Sequence, residues 1–271
     1  SALILPQSLL LGATFPLMTA GVIRQARGSG VGTGRLISLL YFANSIGAAG
    51  GVLLAGFYLI AIAGLPGTLL TAAIINILVG LIVFGAVRLT HDADADSGLT
   101  PDDTERPAAP VAADPELPML WRVLLIVSLG TALSSFIYEI SWVRMLSLVL
   151  GSATHSFELM LSAFILGLAL GAFWVRTRAD GFRDAMRTLA VTQWAMGALA
   201  LGTLTAYLAS FHWMATLIAG LDQTVEGYHF FTIAKYGIAL TVMLPATFCA
   251  GITLPLICLL YTSPSPRDVE E

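Results

Sequence analysis

The sequence predicts an all-α fold, a polytopic transmembrane bundle of about seven helices, and three observations predict it. Apolar residues make up 57% of the 271-residue chain and charged residues 11%, against roughly 25% charged in an ordinary soluble domain. Seven runs, 1–23, 36–62, 67–87, 121–150, 154–175, 188–209 and 230–257, reach the about 20 mostly apolar residues that a membrane span requires. Lys and Arg are absent from every second connection between those runs. The runs do not alternate apolar with polar residues, as the strands of a transmembrane barrel would.

The first span contains Pro6 and Pro16. Each proline removes a helix donor and crowds the preceding turn, so a kink is expected. Residue 1 is not Met, and the opening residues read as the inside of a helix rather than a charged leader, so the natural start is expected to lie upstream. Arg24, Arg27 and Arg35 follow. The glycine-rich turn at 28–34 sits between two spans, without the strand that a nucleotide loop needs before it.

The second span carries Ala43, Gly47, Gly51 and Ala55 on one face. In lipid, small residues at this spacing let helix backbones approach closely. The other reading of the same region is a cavity wall at Tyr41, Asn44 and Gly47. The connection at 63–66 leads to the third span, after which 89–118 holds eight acids and five prolines. That composition predicts a disordered linker. Its Asp92, Asp94, Asp96 run lacks the glycine that a calcium loop needs at its sixth position, where Ser97 stands.

The fourth and fifth spans form a tight hairpin about Gly151, and the fifth carries Ala163, Gly167 and Gly171 as a second small-residue face. Arg176, Arg178, Arg183 and Arg187 lie between the fifth and sixth spans. The seventh span contains Pro245 and Pro255, expected to kink it as in the first. Residues 258–268 read as the translation of a sequencing-library adapter, with 269–271 following, so 258–271 is left out of the fold reading.

Arginine clusters place the connections after the first, third and fifth spans in the cytoplasm. The connections 63–66, 151–153 and 210–229 contain no Lys or Arg and are expected outside. Leu5-Pro6, Gly12, Thr14 and Pro16-Leu17 match Leu244-Pro245, Gly251, Thr253 and Pro255-Leu256, every pair 239 positions apart. The first and seventh spans are therefore equivalents in a repeat of six spans with conserved orientation. The intact protein is expected to hold twelve helices in two halves. Residues 1–88 would be the last three helices of the first half, 89–118 the cytoplasmic linker, and 119–257 the first four helices of the second half.

Four charged residues lie within the spans: Glu139, Arg144, Glu158 and Lys235. An ionisable residue there is a functional candidate by default. Arg144 and Glu158 each lie seven residues from Gly151, so similar depth predicts an ion pair, which Lys235 can join or leave by snorkelling to the interface. Glu139 lies eleven residues before Leu150, roughly 16 Å deep at about 1.5 Å per residue. That is near the middle of a core about 30 Å thick, where a charged carboxylate is costly and suits proton-linked or cation-contacting work.

Soluble chemistry finds no support. His91, His155, His212 and His229 lack metal-ligand spacing. With Cys258 set aside, Cys249 stands alone in an apolar run, so neither a metal nor a disulfide framework is expected. No cofactor motif and no basic, aromatic-interleaved surface for nucleic acid is present. The expected partners are the lipid bilayer, the remainder of the chain and a small polar or cationic solute.

Tyr138-Glu139, Trp142, Arg144-Met-Leu146 and Leu150-Gly151-Ser152, with Phe164 and the 167–171 stretch, resemble the membrane domain of bacterial fused major-facilitator-like/spermidine synthase proteins. The Leu-Pro and Gly-x-Thr-x-Pro-Leu repeats, Tyr41, Asn44, Gly47-Ala48 and Ala55-Gly56-Phe57 resemble the same family. The resemblance implies a major-facilitator-like arrangement in the bacterial inner membrane and a transporter-like domain. It also implies an alternative, a membrane anchor for a polyamine aminopropyltransferase domain. No residue of this chain matches the catalytic part of that domain.

Overall fold

The computed structural model describes residues 5–26, 33–96, 117–151, 154–178, 184–221 and 224–262. Among these, every regular element is a helix: α1 (Leu5–Ala26), α2 (Thr33–Leu54), a π-helical turn (Ala55–Leu59), α3 (Ile60–Asp96), α4 (Leu117–Leu150), α5 (Thr154–Arg178), α6 (Ala185–Gly220) and α7 (Val225–Thr262). Five helical stretches among the described residues are long and apolar enough to cross a membrane: Gly34–Gly85, Leu125–Leu150, Thr154–Arg178, Ala185–Gly220 and Val225–Leu260. These lengths suit a multi-pass membrane protein, because a helix satisfies all its backbone groups within itself where water is absent. The apolar part of α1, Ser8–Gly21, is shorter.

Helix ends follow local chemistry. Gly151, after α4, has φ +87°, a left-handed conformation that glycine adopts without a Cβ penalty. Asp184 caps α6 by accepting a hydrogen bond from the Arg187 amide at 2.9 Å, and Thr224 does the same for Gly227 at 3.0 Å at the start of α7. Pro118 sits in the first turn of α4, where its missing N–H costs nothing.

Several boundaries differ from expectation. Helix α3 continues through Asp96 into the expected linker, since no glycine or proline interrupts 89–96; residues 97–116 lie outside the described ones. Helix α6 runs to Gly220 and α7 begins at Val225, so the expected connection 210–229 shrinks to a few residues. Ser210, Phe211, His212 and Trp213 contain no helix breaker, and helical hydrogen bonding continues through them until Gly220. Helix α7 also passes Ile257 to reach Thr262, carried by Leu259 and Leu260. Pro16, Pro245 and Pro255 lie inside continuous helices, and Pro6 lies in the first turn of α1.

The chain divides into two units, one made of Ser1–Leu53 with Ile126–Glu271 and the other of Leu54–Leu125. In the second unit the helix breaks at Gly64, with φ 65° and ψ −178°, immediately before Leu65-Pro66. The break falls inside the connection expected at 63–66. A residue with a Cβ is disfavoured there.

In the first unit α7 packs against both α5 and α6. The α5–α7 crossing is built from small residues. A Cβ at Gly167 would overlap Thr247 Oγ1, one at Gly171 would overlap the backbone of Phe248 and Gly251, and one at Gly251 would overlap the backbone of Leu168. Ala163, one turn before Gly167, is fully buried. The small face of α2 behaves otherwise: Gly47 and Gly51 are exposed, and an added Cβ would meet nothing within 4 Å among the described residues. Helix α2 buries Ser38, Ser45 and Ala49, and Ala49 O accepts a hydrogen bond from Ser162 Oγ of α5 at 3.2 Å. Gly47 lies two residues from both Ser45 and Ala49, about 200° around the helix at roughly 100° per residue. The α2 contact with α5 is therefore made by the opposite face from the one expected.

The core joins α4 through α7 around Trp142, Leu146, Met160, Phe164, Val242 and Met243. Trp142 stacks on Tyr138 with centroids 5.4 Å apart and donates its indole N–H to Thr203 Oγ1 of α6 at 3.0 Å. A buried indole needs such an acceptor. Thr14 and Thr253, paired by the repeat, each donate to the carbonyl four residues back, at 3.0 and 3.2 Å.

Candidate functional site

Glu139 and Tyr41 line one cavity of about 230 Å³, open on one side. Helix α4 supplies Ser128, Thr131, Ser135 and Glu139, α2 supplies Tyr41, α5 supplies Phe164 and Leu168, and α7 supplies Thr253 and Leu254. The α4 residues are spaced i, i+3, i+7 and i+11, which places them within about 80° of one another on a helix. They form a polar stripe that climbs toward Glu139. Most of the remaining surface of the cavity is aliphatic or aromatic.

The hydroxyls of the stripe are not satisfied by their own helix. Elsewhere Ser and Thr side chains return to a carbonyl three or four residues back, as at Ser38, Ser134, Ser147, Thr192 and Thr247. That local bond is the usual way for a hydroxyl to sit in an apolar helix. Ser128, Thr131 and Ser135 side chains and the Glu139 carboxylate make no hydrogen bond to protein among the described residues. Thr253 both donates to Cys249 O and accepts from Gln193 Nε2 at 2.9 Å, so α6 holds the far wall in place. Tyr41 is fixed by an edge contact with Phe15, centroids 5.7 Å apart.

Not every expected site residue joins this group. Asn44 is exposed on α2 and does not line the cavity. The charges near the start of α5 are partnered differently from the expected Arg144–Glu158 pair. Glu158, only 9% exposed, meets His155 Nδ1 at 3.1 Å. Lys235, equally buried, donates to Ser156 Oγ at 3.0 Å and lies 5.2 Å from the Phe231 ring centre. Arg144 is exposed. It is two residues from Trp142 and from Leu146, both buried in the core, hence about 200° away from each on α4. Equal depth brought Arg144 and Glu158 to one level, but the azimuth of α4 turns the arginine away.

This arrangement predicts a specific double-mutant result. Neutralising Arg144 and Glu158 together should give additive stability losses, within about 0.5 kcal/mol. His155→Ala and Glu158→Gln should instead couple, by about 0.5–1.5 kcal/mol, because each removes the other's partner. Chemical unfolding of the four proteins of each cycle in detergent checks both; coupling in the arginine cycle would contradict the geometry.

Ser128, Thr131, Ser135 and Gln193 were not singled out by the sequence reading, and Thr253 was named there only as a repeat position. The signal for the first three was present as a hydroxyl at each turn of α4 leading to Glu139. Thr253 and Gln193 needed the packing of α6 on α7 to be known. Comparison of the chain with protein-family models, with curated proteins and with solved structures gives no match.

Proposed function

We propose that the chain is a transporter-like membrane domain that binds or moves a small polar or cationic solute, with Glu139 as the principal contact. One observation carries this reading: Glu139 shares a cavity with three α4 hydroxyls that have no hydrogen-bond partner in the protein among the described residues, and with Tyr41. Polar groups converging in an otherwise apolar cavity are the usual form of a small-molecule site. In membranes, acids near mid-span mark substrate and ion paths. The resemblance to the fused major-facilitator-like/spermidine synthase family belongs to the same proposal, as do the twelve-helix arrangement and the bacterial inner membrane. In that arrangement the 52-residue stretch Gly34–Gly85 makes two crossings, turning at Gly64.

Uptake by sealed vesicles carrying the full chain tests the proposal. Saturable uptake of a small amine or amino acid, lost on substitution of Glu139, is the expected result. An absence of uptake across amines, amino acids and polyamines would favour the anchor reading, in which the bundle only tethers a transferase domain.

The orientation has its own test. Cysteines introduced at Ala63 or Gln223, with Cys249 and Cys258 replaced, should react with an impermeant reagent on intact cells. Those at Ser29 or Ser97 should react only after permeabilisation, because Lys and Arg favour the cytoplasmic side. The reverse labelling pattern would invert the topology.

A further inference from the structure

We infer that the Glu139 cavity selects a small ammonium-type monocation over a polyamine, an inference that rests on the cavity being a solute site. Among the described residues, the lining contains one carboxylate, Glu139, and no basic residue. One negative charge neutralises one positive charge. A second ammonium on the same ligand would lie among Phe164, Leu168 and Leu254, where an uncompensated charge is strongly disfavoured.

The polar groups sharpen the choice. Glu139 accepts hydrogen bonds in its charged form, and Ser128, Thr131 and Ser135 offer hydroxyl oxygens uncommitted to any donor among the described residues. An ammonium group carries up to four N–H donors and matches such a set of acceptors. A quaternary ammonium carries the same charge without a donor and leaves the acceptors unsatisfied. Tyr41 lines the same cavity, and an aromatic ring there also favours cations.

Size acts in the same direction. A cavity of about 230 Å³ corresponds to about eight waters at the roughly 30 Å³ each occupies in the liquid. A primary amine with a few carbons fits within that space. An extended polyamine would have to lie partly in the open mouth, beyond the reach of the acid.

The test is equilibrium binding to the purified full chain in lipid nanodiscs, at constant ionic strength, with methylammonium, tetramethylammonium, 1,4-diaminobutane and spermidine. Methylammonium is expected to bind, with the other three at least about tenfold weaker, and Glu139→Gln is expected to weaken methylammonium at least about tenfold. Ser135→Ala serves as the second variant should the first be unstable, with about threefold weakening expected. If diaminobutane or spermidine binds as tightly as methylammonium and Glu139→Gln abolishes both, the monocation inference falls while the solute site stands. If tetramethylammonium matches methylammonium, the hydrogen-bonding argument falls and so does the inference. If none of the four binds, or if methylammonium binds folded Glu139→Gln and Ser135→Ala as it binds the unsubstituted chain, the cavity reading falls with it.

Discussion

Gly171→Leu is expected to disrupt the α5–α7 crossing, at a cost of about 3 kcal/mol or more. A Cβ at this position would strike the carbonyl oxygen of Phe248 and the backbone of Gly251 and Ile252. Backbone atoms cannot rotate out of the way, so relief requires separating two helices that hold the core together. Forced overpacking typically costs about 1–3 kcal/mol and occasionally more; leucine adds three further carbons at the closest approach. Gly171→Ala should fall in the 1–3 kcal/mol range. Gly167→Ala should cost less, because its main obstacle is the side chain of Thr247. At Gly47 and Gly51, where an added Cβ meets nothing within 4 Å, alanine should be neutral or stabilising by up to about 1 kcal/mol, through its better helix propensity. Unfolding in mixed detergent micelles ranks the five proteins. Equal stability of Gly171→Leu and Gly47→Ala would show that α5 and α7 do not cross here.

That contrast marks what the sequence reveals and what it conceals. Small residues at four-residue spacing identify both Gly167–Gly171 and Gly47–Gly51 as faces able to pack. They do not say which face meets a partner. Helix α2 is apolar or small on nearly every side, so its periodicity favours no azimuth, and the face carrying Ala49 makes the contact with α5. Helix boundaries fail for a related reason: in a chain this apolar, a helix stops at glycine, as at Gly64, Gly151 and Gly220, rather than where hydropathy falls. The expected depth of Glu139 comes from residue counts alone. Its neighbourhood was half legible. The α4 stripe can be read from spacing, whereas Tyr41, Thr253 and Gln193 come from other helices, whose rotations only packing determines. Arg144 shows the opposite failure: its depth suggested Glu158, while Trp142 and Leu146, two residues to either side, already pointed to the opposite face as the buried one.

Glu139→Gln is expected to reduce solute uptake at least about tenfold while leaving the fold intact. The side chain makes no hydrogen bond to protein among the described residues and lies at the cavity wall rather than in the core. The amide keeps the shape of the acid and removes only its charge and its capacity to exchange a proton. No buried partner is orphaned, so the stability change should remain within about 0.5 kcal/mol, the usual range for substitutions outside packed or paired positions. Binding should respond differently. A hydrogen bond to a charged group contributes about 1.5–3 kcal/mol, and tenfold in an equilibrium constant is about 1.4 kcal/mol. Loss of the carboxylate should therefore remove at least one decade for a cationic ligand. If proton binding at Glu139 competes with the solute, uptake by the unsubstituted protein rises with pH as the acid ionises, and the variant's residual uptake is flat. Vesicle uptake measured across pH for both proteins, with unfolding measured in parallel, separates the cases. A variant that transports normally with an unchanged pH profile would make Glu139 a structural acid. A variant that fails to fold would place the carboxylate in a contact beyond those described. Reduced and flat uptake in a stable protein is the outcome expected if this open cavity is the solute site.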